Sequence, residues 1–261
     1  FLPKLKSLGI LAVDVMKIKI NFQKEKIGPY TEKRINEVWK NPPRIIGAER
    51  CKIVREGNEK VLQVNYPKGI FGLDGGAQWR MKFEKSFEEL FVQYKVKFQK
   101  GFNFVRGGKL PGLSGGSNPA GGADSSKGFS ARVMWREEGQ GEHYVYHPGR
   151  EGQWGRNLFW HNLNSKQMEL LRFKPGVWHT IKTKIKMKSE FDWPQEGYII
   201  SWFDEKLALF QTIKLKEKDE KYGIDNFNFS TIFGGNDKTW APKKDESIYF
   251  KDFVISDKEI K

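Results

Sequence analysis

The chain has 261 residues, enough to bury a sizeable core, and its composition includes 14% aromatic residues and 27 glycines. This composition favours a strand-rich, turn-rich protein over a helical bundle, and no apolar run approaches the roughly 20 residues that a membrane span needs. A formal net charge of +14 favours anionic partners, which leaves nucleic acid, acidic polysaccharide and anionic membranes as the classes to separate.

The N-terminal residues 1–44 differ from the rest and are predicted to form an extension with a short helix. Within it, Thr31–Trp39 places three apolar side chains at helical spacing behind a threonine that can cap the helix. Two prolines follow and end the helix. The apolar stretch Leu8–Val13 is too short for a signal sequence, and Asp14 interrupts it.

Short strands dominate the remaining residues 45–261, which we interpret as one domain. Their polar and apolar side chains alternate and turn residues separate them, so the pattern predicts an all-β fold. Regular spacing favours an antiparallel β-sandwich or jelly roll of the concanavalin-like kind over a βαβ fold. The predicted strands are Lys52–Arg55, Val61–Tyr66, Phe91–Phe98, Trp178–Lys188, Tyr198–Phe203, Leu207–Leu215, Asn228–Phe233 and Ile248–Ile255.

A further hairpin is predicted with a defined register. A turn at Glu137–Gly139 joins its two strands, and this turn places Arg132 opposite Tyr144. The same register places Ser130 opposite Tyr146. Directly opposed residues share a face, with Cβ atoms about 5 Å apart, so the four polar side chains are expected on one surface. A register slip of one residue would scatter them to both faces.

Lys109 is predicted to join this cluster from a tight loop. Two glycines precede it and Pro111-Gly112 follows closely, which is an unusual frame for a surface lysine. Loops held on a rigid scaffold often carry function. A phosphate-binding loop is excluded because Leu110 stands where that motif requires a lysine-adjacent serine or threonine.

Three stretches together resemble the polysaccharide lyase 14 family of alginate and glucuronan lyases. They are Gly-Gly-Lys-Leu-Pro-Gly-Leu at 107–113, Gly-Phe-Ser-Ala-Arg-Val-Met-Trp-Arg at 128–136, and Tyr144-Val-Tyr146. The resemblance extends more loosely to Phe233-Gly-Gly235, Trp240-Ala-Pro242 and residues 248–253, and so covers roughly residues 45–257. It implies a jelly roll with a cleft across one sheet, and cleavage of polyuronates by β-elimination.

The resemblance also implies the functional residues. The expected catalytic set is Lys109, Ser130, Arg132, Tyr144 and Tyr146. Apart from the resemblance, we expect Gln93, Lys95, Lys97, Met134 and Arg136 to bind the substrate. No cofactor or metal is expected, because protein cations supply the positive charge and the four histidines lack paired metal-ligand spacing.

The chemistry explains why these residue types suit the reaction. The C5 proton of a uronate becomes acidic only when the adjacent carboxylate is neutralised, which Lys109 or Arg132 can do. A base must remove that proton and an acid must protonate the departing O4. Tyr144 and Tyr146 are expected to perform the transfers once nearby cations lower their pKa, in an order left open. Lys109 is an alternative base, and Ser130 is expected to position the substrate.

Three other functions are compatible with parts of the sequence. A sandwich glycosidase would need two carboxylates on one strand face, but Pro194 interrupts the only candidate, Glu190–Glu196. A non-catalytic carbohydrate-binding module would share the fold and use some of the nine tryptophans. A nucleic-acid binder is favoured by charge and by aromatics such as those of Trp178–Lys188. We expect instead an acidic polysaccharide as partner, with no nucleic acid or membrane.

Two interpretations are open for the role of the lysines in two predicted strands. Lys95, Lys97, Lys182, Lys184 and Lys186 either flank the cleft as subsites for repeating carboxylates or lie on the outer solvent face. The uronate itself stays open among mannuronate, guluronate and glucuronate. A polymeric substrate implies a secreted or periplasmic protein, and a monomer is expected.

Overall fold

The computed structural model describes residues 15–188 and 196–260, where the chain forms two antiparallel β-sheets packed face to face. The predicted all-β sandwich with one short helix is confirmed. In chain order the elements are β1 (Lys17–Ile20), β2 (Gly28–Pro29), α1 (Glu32–Val38), β3 (Ile45–Ile46), β4 (Cys51–Glu56), β5 (Glu59–Tyr66), β6 (Ala77–Phe87), β7 (Glu89–Phe98), β8 (Gly107–Gly116), β9 (Gly128–Arg136), β10 (Gly141–Tyr146), β11 (Arg156–Phe159), β12 (Trp178–Lys186), β13 (Gly197–Phe203), β14 (Lys206–Ile213), β15 (Ile224–Phe233) and β16 (Glu246–Ser256).

The two sheets differ in size and in the strands that they contain. The back sheet has nine strands in the order β14-β13-β12-β7-β16-β5-β4-β2, with β1 paired to β16. The front sheet has seven strands in the order β11-β10-β9-β8-β15-β6-β3. Their inner faces interdigitate to form the core, as in other sandwiches. Each sheet therefore leaves an outer face on an opposite side of the molecule.

Residues from the predicted extension pack into this sandwich. Strand β1 pairs with the C-terminal half of β16, and β2 pairs with β4. Helix α1 begins after Thr31, whose side chain accepts the N–H of Arg34 at 3.3 Å, as predicted. Trp39 follows the helix and is fully buried. The domain boundary after residue 44 stays a prediction, and Leu8–Val13 lies outside the described residues.

The hairpin β9–β10 has the predicted register. Arg132 pairs with Tyr144 and Ser130 pairs with Tyr146. The turn residue Gly139 has the expected positive φ, at 79°. On the core side of β9 every other residue is apolar and buried, which fixes the polar residues on the outer face of the front sheet.

Lys109 lies on a strand, and the expectation of a loop is wrong. Strand β8 includes the whole glycine-rich stretch and sits between β9 and β15. Gly108 is needed for close approach, since a Cβ there would lie 2.1 Å from the Trp135 ring. Pro111 falls where the pairing with β9 shifts register, so its missing N–H interrupts the ladder without ending the strand.

No helix in residues 15–188 and 196–260 is long and apolar enough to cross a membrane. The lone Cys51 is buried and its thiol donates to the carbonyl of Gly47. Burial of this kind is typical of a structural cysteine.

Candidate active site

The outer face of the front sheet carries a cavity of about 420 Å³. Five of the predicted site residues line it: Lys109, Met134, Arg136, Tyr144 and Tyr146. The neighbouring strands β8, β9 and β10 supply all five, because their register directs these side chains to one face. Asn157 of β11 and residues from three connecting segments complete the wall: Gly121, Trp154, Gly155, Gly235, Asn236 and Trp240.

Lys109 is a cation in an environment that disfavours its charge. The pKa of its ammonium group is lowered to about 7, chiefly by burial and also by the nearby guanidinium groups of Arg132 and Arg136. Its Nζ lies 5.9 Å from the centre of the Tyr144 ring. A lysine with this pKa is partly neutral at neutral pH, so its amine can accept a proton.

Both tyrosines have their phenol oxygens held by backbone amides. The N–H of Gly155 donates to Tyr144 Oη at 2.9 Å, and that of Gly122 donates to Tyr146 Oη at 3.0 Å. The two rings meet edge to face with centres 5.6 Å apart. These contacts fix both hydroxyl groups at the cavity.

The expectation that cations lower the tyrosine pKa is wrong for Tyr144. The pKa of Tyr144 is raised to about 12, chiefly by burial and also by the neighbouring Tyr146, whereas Arg136 opposes the rise weakly. Tyr144 therefore keeps its proton at neutral pH. Desolvation disfavours the phenolate more than the guanidinium favours it.

Arg136 is held rigidly at the cavity wall. Its Nε donates to Glu142 at 2.7 Å and one terminal nitrogen donates to Asn157 at 2.7 Å. Its guanidinium also lies over the rings of Tyr144 and Trp240, at 5.5 and 5.8 Å from their centres. Its other terminal nitrogen, Nη1, makes no hydrogen bond within the described residues, which leaves donors for an anionic ligand.

Glu142 is a buried carboxylate on β10 for which the sequence predicted no role. Burial raises its pKa to about 7, although Arg136 opposes the rise. One of its oxygens is buried without a hydrogen-bond partner in the part of the chain described. Its position two residues before Tyr144 on the same strand face was the available signal.

A family model, Polysaccharide lyase 14, matches residues 54–253. The chain belongs to the polysaccharide lyase 14 family. It is therefore a polysaccharide lyase, as the motifs on β8, β9 and β10 predicted. No curated protein sequence matches the chain.

Solved structures of alginate lyases share the fold of this lyase. Alginate lyase Aly36B superposes with a TM-score of 0.77 at 22% identity, covering 92% of this chain and 96% of that one. The alginate lyase of Aplysia kurodai gives 0.72 at 24% identity, with 92% and 98% covered. The alginate lyase vAL-1 from a Chlorella virus gives 0.67 at 22% identity, with 89% and 98% covered. At these identities the likeness establishes the fold alone.

Two predicted catalytic residues of the lyase lie beneath the cavity and do not line it. Ser130 is fully buried, and its hydroxyl donates to the carbonyl of Pro119 at 2.6 Å. This bond attaches the segment 117–127 to the sheet. Arg132 is 5% exposed, and two of its nitrogens have no partner within the described residues. Its charge nevertheless acts on Lys109.

Three predicted substrate-binding residues lie far from the cavity. Gln93, Lys95 and Lys97 are on β7, in the middle of the back sheet, and face away from the core. The structure does not bring them to the cavity, so their expected place beside the catalytic residues is corrected. Alternation along a strand predicts which residues share a face, but it does not predict to which sheet the strand belongs.

The sequence did not predict that aromatic residues line the wall of the cavity. Trp154 is 48% exposed at the rim. The guanidinium of Arg106 lies over the ring of Trp240, 4.8 Å from the ring centre. Gly235 has φ of +92°, and a Cβ there would lie 2.2 Å from the Trp240 ring. The glycine therefore allows Trp240 to pack against the wall.

In the glycosidase candidate, Glu190 and Asp192 lie outside the described residues.

Proposed function

We propose that this lyase cleaves a 4-linked polyuronate by β-elimination, with Lys109 as the base and Tyr144 as the acid. The observation that carries the proposal is one cavity lined by both side chains, with Lys109 Nζ 5.9 Å from the centre of the Tyr144 ring. Their pKa values are shifted in opposite directions, that of Lys109 down to about 7 and that of Tyr144 up to about 12. Groups whose environments push their pKa values apart are suited to opposite roles in proton transfer.

The carboxylate of the reacting uronate binds Arg136. A guanidinium pairs with a carboxylate through short, charge-assisted hydrogen bonds, and Glu142 and Asn157 hold it in place for this contact. Neutralising the carboxylate increases the acidity of the adjacent C5–H bond. The buried charge of Arg132 adds to the positive field.

Lys109 removes the C5 proton and becomes an ammonium ion. The electron pair of the C5–H bond forms the C4–C5 double bond, and the C4–O4 bond breaks. Tyr144 donates its proton to the departing O4, so the leaving chain ends in a hydroxyl group. The other product carries an unsaturated uronate at its new non-reducing end. A proton passing from Lys109 to the Tyr144 phenolate, directly or through solvent, restores the starting state.

Alginate is the first substrate to test. The solved structures at TM-scores of 0.67 to 0.79 are alginate lyases, and two of them are Aly36B mutants in complex with alginate trisaccharide and tetrasaccharide. A glucuronan lyase from Trichoderma reesei superposes less well, with a TM-score of 0.52 at 10% identity. A secreted or periplasmic monomer suits a polymer that does not enter cells, and fractionation with gel filtration tests this.

The test is the appearance of unsaturated uronate from polymannuronate, polyguluronate or glucuronan, followed by ultraviolet absorbance. Lys109→Ala and Tyr144→Phe should each lose at least about a hundredfold in kcat, which is typical of a lost proton-transfer group. Adding a small primary amine should restore part of the activity of Lys109→Ala but not that of Tyr144→Phe. The exposed Lys218→Ala is the matched control and should retain full activity.

Two results would overturn the proposal. Full product formation by Lys109→Ala would exclude this lysine as the base. Binding of all three polymers without any unsaturated product would instead favour the non-catalytic carbohydrate-binding alternative.

A further inference from the structure

We propose that the outer face of the back sheet is a second, non-catalytic binding surface for acidic polysaccharide. The choice of ligand rests on the proposed function. The surface lies on the opposite side of the sandwich from the cavity, and its central lysines are on β7, β12 and β16. We call it the outer lysine face.

The strand register gathers the lysines and aromatic rings of this face into neighbouring rows. In one row Trp178, Lys97 and Tyr249 lie side by side on β12, β7 and β16. In the next row Lys95 pairs with Lys251. Directly opposed residues on adjacent strands share a face, on which Lys97 and Lys251 are buried and Lys95 is partly exposed.

Lysines and tryptophans contact each other across this surface. The Nζ atoms of Lys97 and Lys251 lie 5.3 and 4.7 Å from the ring centre of Trp178. Lys182 lies 4.7 Å from that of Trp202. Both tryptophans are half-buried, so part of each ring is open to solvent. An aromatic ring that packs against the C–H groups of a sugar, flanked by a cation that pairs with its carboxylate, matches a uronate unit.

Positive charge is in excess on the outer lysine face. The register directs nine lysines outward: Lys17, Lys19, Lys52, Lys95, Lys97, Lys182, Lys184, Lys186 and Lys251. Four carboxylates contact them: Glu56, Glu59, Glu89 and Asp252. The sequence as a whole carries a net charge of +14, so the field favours a polyanion.

The ion pairs of the partly exposed lysines on this face do not prevent binding. Lys184 and Lys186 share Glu89, at 3.1 and 3.5 Å, and Lys95 lies 3.5 Å from Asp252. Such pairs near the surface contribute little to stability, so a polymer carboxylate can replace the protein carboxylate as the partner. The repeating charge of a polyuronate engages many lysines at once, which a single small anion does not.

Polysaccharide is proposed over nucleic acid because the proposed function makes an acidic polysaccharide the substrate of the same molecule, and its carboxylates are the anions that both surfaces would bind. On β1, β4, β5, β7, β12 and β16 the cations that the register directs to this face in the described structure are lysines. A polymer held here would keep the lyase on its substrate between cleavage events and raise the effective substrate concentration at the cavity.

The test measures retention in an alginate-containing gel in a Lys109→Ala/Tyr144→Phe background, so that the polymer is not degraded. The face variant is Lys95→Gln/Lys182→Gln/Lys184→Gln. The matched control removes three exposed lysines from other segments: Lys166→Gln/Lys218→Gln/Lys221→Gln. Affinity for the polymer should fall on the order of tenfold in the face variant and less than about twofold in the control.

Equal retention of the two triple variants would overturn the proposal, as would tighter binding of the parent protein to duplex DNA than to alginate. Thermal unfolding checks that each variant is folded, and single Lys182→Gln replaces the triple variant if the triple is destabilised. Cleavage by the otherwise unmodified Lys109→Ala variant would contradict the proposed mechanism. The retention measurement would still test the outer lysine face independently.

Discussion

Lys109 makes the activity of the lyase dependent on pH near neutrality. Its pKa is lowered to about 7, so the neutral amine needed for proton removal increases as pH rises through that value. We expect kcat/KM to rise by about tenfold per pH unit below pH 7 and then to level off. Tyr144, with its pKa raised to about 12, should remain protonated at every pH at which Lys109 titrates.

Initial rates on a soluble polyuronate from about pH 5 to about pH 9 measure this profile. Glu142 also titrates near pH 7, and Glu142→Gln separates the two groups. The rise should persist in Glu142→Gln if Lys109 is responsible. A profile that becomes flat in this variant would assign the rise to the carboxylate.

The raised pKa of Glu142 leads to a separate prediction about stability. Its folded pKa of about 7 is above the ordinary 4.5, so the fold binds its proton more tightly than the unfolded chain does. The resulting stability is fully present below pH 4.5 and is lost as pH rises through about 7. The free energy of unfolding of Glu142→Gln, relative to that of the wild type, should therefore increase by about 3 kcal/mol as pH rises from 4.5 to about 7.

Urea unfolding of both proteins at the two ends of this range gives the difference. The Gln side chain keeps an oxygen that can accept from Arg136, so the pair of measurements reports the charge. A stability difference that does not change with pH would contradict the raised pKa.

At the scale of elements, β8 depends on glycine for its position. An Ala side chain at Gly108 would place its Cβ 2.1 Å from the Trp135 ring and 2.4 Å from the carbonyl of Ile232. We expect Gly108→Ala to destabilise the protein by roughly 1–3 kcal/mol or more and to lower activity, because the strand that carries Lys109 must shift.

Chemical unfolding and initial rates measure these two effects. Gly234→Ala is the control for stability, since its new Cβ would meet its nearest neighbour at an ordinary 3.5 Å. Similar losses of stability in both variants would show that the close packing of β8 is not the cause.

The element that could be predicted in detail was the hairpin β9–β10. A short turn and a continuous apolar face together allow one register, so Arg132 opposite Tyr144 followed from local sequence alone. Strand β8 could not be recognised in the same way, because glycine and proline indicate turns unless the neighbouring strands are known. The closeness of Trp135 that requires Gly108 is a contact between strands, which local patterns do not contain.

The same limit applies to the back sheet and to Glu142. The alternation in β7 correctly predicted that Lys95 and Lys97 face outward, yet only the folded structure shows that this outward side is opposite the cavity. For Glu142, the strand face was predictable but the burial that raises its pKa depends on residues distant in sequence. Long-range packing therefore determines both the parts of the site and the charges within it.

At the scale of the whole molecule, Trp39 connects the N-terminal residues to both sheets. Its ring centre lies 5.4 Å from that of Trp79 in the front sheet and 5.3 Å from that of Phe253 in the back sheet. Its indole N–H donates to Tyr30 Oη at 3.0 Å. Residues before position 45 thus contribute to the same core as the catalytic sheet.

Trp39→Ala should lower the free energy of unfolding by about 3–5 kcal/mol, because it leaves a large cavity and removes the partner of a buried hydroxyl group. The exposed Lys33→Ala on α1 is the matched control and should change stability by less than about 0.5 kcal/mol. Denaturant unfolding monitored by fluorescence and by circular dichroism should give one transition for each protein. A loss below about 1 kcal/mol in Trp39→Ala, or an early separate transition for the N-terminal residues, would instead favour an extension that is independent of the sandwich.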